Sequence, residues 1–190
     1  MTLQTLILLI LTAVSVVAAD SPKYDYRVLA TNRTSTMERE MNEAAGAGYR
    51  FMSVMGGETG FGGKEVVVVM GRPSGGEAKS RMKYKLLATS RTGTMHKELE
   101  QAAQEGFDYL GQTVFESTMG GREISVILQR DAEKPASRSQ YKLLATTKTS
   151  TMQKELEQAG ADGFQLLGMT VGKTAFRGDE IVCILRKVIE

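Results

Sequence analysis

The chain has 190 residues, and its 24 lysines and arginines against 22 aspartates and glutamates leave a formal charge of only +2. That balance argues against nucleic acid as a main partner, because phosphate binding needs a concentrated basic surface. A single cysteine, Cys183, excludes an internal disulfide and a cysteine zinc site, and His96 is the only histidine.

The first predicted element is a targeting segment. From Leu6 to Ala19 the chain reads LILLILTAVSVVAA, with no charge, and Val17, Ala18 and Ala19 precede polar Asp20. Small residues there suit a signal peptidase, and the run is shorter than the ~20 residues that a spanning helix needs. Residues 1–19 are therefore read as a signal peptide, with an uncleaved anchor as the alternative. The remainder is expected to be extracytoplasmic, periplasmic or secreted, without a membrane span.

Three stretches then align without a gap: YRVLATNRTSTMEREMNEAAGAGY from Tyr26, YKLLATSRTGTMHKELEQAAQEGF from Tyr84 and YKLLATTKTSTMQKELEQAGADGF from Tyr141. Each runs on to an apolar end: EVVVVMGR from Glu65, EISVILQR from Glu123 and EIVCILRK from Glu180. Such self-similarity marks tandem duplication. We divide the chain into repeat 1 (24–72), a linker (73–83), repeat 2 (84–130), a second linker (131–140) and repeat 3 (141–189). Both linkers are polar and carry Gly, Ser or Pro.

Within each unit, a short apolar strand (YKLLAT in repeat 2) leads into a Thr-rich segment and then a helix. Ser35 with Glu38, and Ser150 with Gln153, have capping-box spacing. Met95, Leu99, Ala102 and Ala103 form an apolar stripe at helical spacing, repeated at Met152, Leu156 and Ala159, with Met37 leading the first copy. Lys97, Glu100, Gln101 and Gln104 are assigned to the outer, solvated face. Gly48, Gly106 and Gly163 stand where a helix closes in the left-handed conformation, each before an aromatic residue. A hairpin of two strands completes the unit.

The last strand is apolar on both faces. Ile124, Val126 and Leu128 alternate one way and Ile127 the other, and Val182 and Ile184 repeat this in the third copy. A sheet covered by one helix should be polar on its back. The units should therefore bury their backs against each other or a partner, in a compact assembly of which a pseudo-threefold arrangement is one form.

On these residues the unit resembles the small bacterial domain-of-unknown-function family 4177. The likeness rests on YDYRV from Tyr24, EGFDYL from Glu105 and the closing LQR from Leu128. It covers each repeat, but Phe or Tyr replaces the Trp frequent in that family. The resemblance implies the fold and no established activity.

Few groups invite chemistry. Thr34 and Thr36 with Arg33 recur as Thr92, Thr94 and Arg91, and as Thr149, Thr151 and Lys148. Hydroxyls, a helix N-terminus and a cation could hold an anion, and capping explains the same threonines without one. Glu40, Glu98 and Glu155 recur in the helices, and Glu65, Glu123 and Glu180 at the last strands. Ion pairs are the expected use, with acid–base or metal chemistry as the rival. Cys183 and the recurring methionines are read as core, His96 as a surface residue, and the glycines from Gly56 to Gly63 as a hairpin loop.

The expectation is an α+β protein of three tandem β-α-β-β repeats, antiparallel sheets each covered by one helix, with the third strand between the first two. Its expected role is a binding or assembly module without catalytic activity, metal or cofactor. Partners would be a protein, an envelope component or further copies of the chain. An envelope hydrolase or metal-dependent enzyme using the recurring glutamates, and a purely structural envelope protein, are the alternatives.

Overall fold

A computed structural model describes residues 23–59, 63–76, 81–116, 122–135, 138–174 and 178–189. The expected signal segment lies outside these residues, as do part of the glycine loop and part of each linker.

The first repeat contains β1 (Tyr24–Thr31), α1 (Thr34–Gly46), β2 (Arg50–Thr59) and β3 (Gly63–Pro73). The second contains β4 (Met82–Thr89), α2 (Thr92–Gln104), β5 (Asp108–Glu116) and β6 (Arg122–Asp131). The third contains β7 (Ser139–Thr146), α3 (Thr149–Ala161), β8 (Gln165–Thr174) and β9 (Gly178–Val188). Each repeat forms an antiparallel sheet with its third strand in the middle, in the orders β1-β3-β2, β4-β6-β5 and β7-β9-β8. The expected α+β class and strand order are both present. The second strand of each repeat breaks register at one point, between Phe51 and Ser53, Tyr109 and Gly111, and Leu166 and Gly168.

The helices begin differently from the expectation. Arg33, Arg91 and Lys148 occupy the N-cap positions in extended conformation, and no side chain caps any of the three. Ser35 and Ser150 fall inside the first turn, so the capping box is not formed. The turn into each helix is made one step earlier. The hydroxyls of Thr31, Thr89 and Thr146 accept hydrogen bonds from the N–H groups two residues on.

The helix ends match the sequence reading. Gly48, Gly106 and Gly163 have φ of 86°, 81° and 87°. The next residue's N–H returns to the helix: Tyr49 to the Ala44 carbonyl at 3.1 Å, and Phe107 and Phe164 to Ala102 and Ala159 at 2.9 Å. Each of these rings lies beneath cations from the flanking strands: Arg27 and Arg72, Lys85 and Arg130, Lys142 and Lys187. Arg72, Arg130 and Lys187 also donate to carbonyls closing the helices, at Ala47, Glu105 and Asp162. A cation beside a helix C-terminus is stabilising because exposed carbonyls concentrate negative potential there.

The three units stack in a row. One core joins Met37, Met41, Ala44 and Ala45 of α1 to Val66, Val68 and Met70 of β3, and also to Tyr84, Leu86 and Ile127 of the second sheet. A second joins Met95, Leu99 and Ala102 of α2 to Val126 and Leu128, and then to Tyr141, Val182 and Ile184 of the third sheet. A third holds Met152, Leu156 and Ala159 against Cys183 and Leu185, with no further sheet beyond it among the described residues. Hence α1 and α2 are each held between the front of their own sheet and the back of the next. Along one side, β2 packs on β5 and β5 on β8. Extensive packing joins only chain neighbours, so the pseudo-threefold arrangement is not formed: among the described elements, repeats 1 and 3 do not close on each other.

Backbone proximity between layers sets a requirement for glycine. A β-carbon on Gly56 would lie 2.0 Å from the Val114 carbonyl oxygen of the next repeat. A β-carbon on Gly160, within α3, would meet nothing within 4 Å. Gly56→Ala is therefore expected to cost about 1–3 kcal/mol in urea unfolding through overpacking. Gly160→Ala should instead stabilise by up to about 1 kcal/mol through helix propensity.

Candidate functional site

The nine residues singled out for anion binding stand at three separate helix starts. Arg33, Arg91 and Lys148 are exposed, and Thr34 and Thr36, Thr92 and Thr94, and Thr149 and Thr151 lie in the first turns. No acidic side chain lies in those turns. Each start keeps first-turn N–H groups without a side-chain cap, beside one cation. The fold brings the three residues of each set together and leaves the three sets apart, one per layer.

The recurring glutamates do not gather. Glu98 belongs to α2 and Glu123 to β6, while Glu180 is buried at the start of β9. Among the described residues, no group of three His, Cys, Asp or Glu side chains is placed to hold a metal ion. Cys183 is buried in the third core, and burial pushes its thiol pKa up, away from thiolate chemistry. Glu40 has the expected use, pairing with Arg39 at 3.8 Å. A hydrogen bond from Lys85 holds the Glu105 carboxyl below its usual range, and Lys142 does the same for Asp162.

The denser polar arrangement lies at the junctions between repeats. An edge strand leaves backbone groups unpaired, and burying them without partners is costly. At the first junction α1 supplies the partners for β4. The Asn42 side chain accepts from the Tyr84 N–H at 3.0 Å and donates to the Tyr84 carbonyl at 2.9 Å. One turn earlier, the Glu38 carboxylate accepts from the Leu86 N–H at 2.8 Å. A helix side chain thus does the work of a fourth strand.

A tyrosine locks each junction on its other side. The Tyr84 hydroxyl accepts from the Phe51 N–H at 2.9 Å, at the break in β2, and the Tyr141 hydroxyl accepts from the Tyr109 N–H at 2.9 Å, at the break in β5. Both rings are covered, at 3% and 2% exposed. Burial raises the Tyr84 pKa and pushes Tyr141 up to about 12, and Tyr109 to about 12 as well. At the second junction Arg186 also pairs with Asp108 at 2.8 Å.

The side of α2 assigned to solvent is exposed at Lys97, Glu100, Gln101 and Gln104, and it also borders this junction. Glu100 and Gln104 line a cleft of about 490 Å³ with Arg138 and with Ser139 and Gln140 of β7. His96 occupies the position of Glu38. Its Nε2 lies 3.5 Å from Glu100, and among the described residues its buried Nδ1 has no hydrogen-bond partner. Sequence reasoning missed Glu38, Asn42, Tyr84 and Tyr141 as interface residues. The recurrence of Tyr26, Tyr84 and Tyr141 at one strand position was the available signal.

The same surfaces are uncovered at the ends of the stack. On the back of the first sheet Tyr26 and Val28 are 63% and 64% exposed, where Tyr84 and Leu86 at the matching positions are 3% and 9%. Tyr24, Met52 and Met55 are exposed beside them, and the rings of Tyr24 and Tyr26 stack at 6.0 Å. At the other end Leu166, Met169 and Val171 of β8 are exposed. No helix among the described residues is long and apolar enough to cross a membrane. Comparison with family models, with curated proteins and with solved structures gave no match.

Two outcomes test the junction. Asn42→Ala strips Tyr84 of both backbone partners and is expected to cost about 1–3 kcal/mol in urea unfolding. The second is alkaline. Tyr141 binds its proton more tightly folded, at about 12, than at the ordinary 10.0, so its contribution is full below pH 10 and is lost as pH rises towards 12. Stability measured across that window should fall less steeply in Tyr141→Phe.

Proposed function

We propose that the chain is a non-catalytic binding and assembly module that works outside the cytoplasm. One observation carries this reading: a sheet back that is buried twice within the chain stands open on the first repeat, with Tyr24, Tyr26, Val28, Met52 and Met55 exposed together. A contiguous apolar face of that kind on a folded chain marks an interaction surface. Repeat arrays that work alone close their ends with polar caps. The uncharged Leu6–Ala19 run supports the location, and the resemblance of each repeat to family 4177 implies no established activity.

A second reading concerns the helix starts. Their uncapped first turns beside Arg33, Arg91 and Lys148 favour weak binding of an anion at three equivalent places. Calorimetry with a sulfated or phosphorylated ligand should show Arg91→Ala lowering the affinity; unchanged heats would remove this reading.

For the principal reading, the immobilised chain from Asp20 is expected to retain a defined macromolecule from the envelope extract of its own cells. Val28→Asp should reduce that retention at least tenfold. Retention indifferent to Val28→Asp would contradict it. So would hydrolytic turnover that disappears in Glu98→Gln or Glu123→Gln.

A further inference from the structure

We propose that copies of this chain bind one another head to tail, the outer face of α3 in one copy covering the back of the first sheet in the next. The proposal rests on the assembly reading above and names the partner as a second copy.

The chain already makes this contact twice. Helix to sheet back joins repeat 1 to repeat 2 and repeat 2 to repeat 3. The two halves left over are the matching halves. Among the described residues, no helix covers the back of the first sheet and no second sheet covers α3.

The leftover helix carries the right residues. Ala45 and Ala103 are 1% and 3% exposed where the next sheet lies on them, and Gly160 at the same position is exposed. Leu156, matching fully buried Met41 and Leu99, is only partly covered. The places of Glu38 and Asn42 are taken by Gln153 and Glu157, which bond to each other at 2.7 Å. Together they offer oxygen acceptors for strand N–H groups and an amide donor for a strand carbonyl, the chemistry that Glu38 and Asn42 present to β4. β1 is an edge strand and presents the matching side of its backbone at Tyr26 and Val28.

The tyrosine lock has its third pair in place. Tyr26 matches Tyr84 and Tyr141, and Leu166 matches Phe51 and Tyr109, whose N–H groups those hydroxyls hold. Leu166 is 51% exposed. Side-chain size agrees as well. Gly111 lies under Phe51, its missing β-carbon 3.4 Å from that ring, and Gly168 lies under Tyr109, where a β-carbon would be 2.0 Å from the hydroxyl. The first sheet has Ser53 at this position, and the residue that would cover it is the smaller Leu166.

A partner specified twice by the chain's own geometry is better defined than an unrelated one. Because the two surfaces differ, the contact is heterologous. Repeating it gives a growing row, or a ring if the rotation closes.

Sedimentation velocity on the chain from Asp20, which contains every described strand and helix, tests this across the micromolar range. The expected result is a mass that rises with concentration beyond that of a dimer. Val28→Asp blocks one end and Gly160→Arg the other. Both positions are exposed, and circular dichroism checks that each variant folds. Each alone should associate at least tenfold more weakly, and Tyr26→Phe several-fold. Mixed, the two blocked variants should form a one-to-one heterodimer through their intact ends and grow no further. A wild-type chain that stays monomeric overturns the proposal, as does a mixture without heterodimer or association confined to chains that retain residues 1–19. If the chain stays monomeric yet retains another protein from the envelope extract, the assembly reading stands and this one falls.

Discussion

The structure depends on one constraint: the back of each sheet is too apolar to face water. Ile127 and Ile184 point away from the helix of their own repeat, and both are fully buried because the preceding helix lies on them. A unit of this size, with one helix on one sheet, buries too little surface to be robust alone. Placing each helix between two sheets doubles its use. It also explains why α1 and α2 bury their apolar stripe completely, while α3, with one sheet, leaves Leu156 partly open.

That constraint brings a polar one with it. At the first junction the edge beside the sheet back is satisfied by the helix that covers it. Asn42 and Glu38 satisfy β4 from the side, and the tyrosine hydroxyls accept from the Phe51 and Tyr109 N–H groups of the edge strands β2 and β5. In β2 and β5 the register break lies beside the residue whose N–H the tyrosine holds. At the far side of each unit, the cations over Tyr49, Phe107 and Phe164 close the helix and leave the junction to the tyrosines.

Much of this was legible in the sequence. The threefold repetition of the unit, the strand order, the methionine stripe and the glycines that end the helices follow from spacing and turn chemistry, which are local. The apolar back of the last strand, seen in Ile127 and Ile184, correctly demanded a cover. What covers it was not legible, because a heptad of helix surface looks solvated whether water or a strand edge meets its polar groups. Asn42 drew no notice for that reason, while Glu100, at the matching place in α2, is exposed as read. The capping box at Ser35 failed for a related reason. Thr31 had already made the turn, so the helix began at Thr34, and Glu38 was committed to the next repeat.

The claim that neighbouring repeats satisfy each other's edges is tested most directly by amide hydrogen exchange. Tyr84 and Leu86 lie on an edge strand, where N–H groups ordinarily exchange fast. If Asn42 and Glu38 hold them, their exchange should be slowed to the range of the central strand β6, while Tyr26 and Val28 on β1 exchange freely in the monomer. Equal, rapid exchange at Tyr84, Leu86, Tyr26 and Val28 would contradict the stacked arrangement.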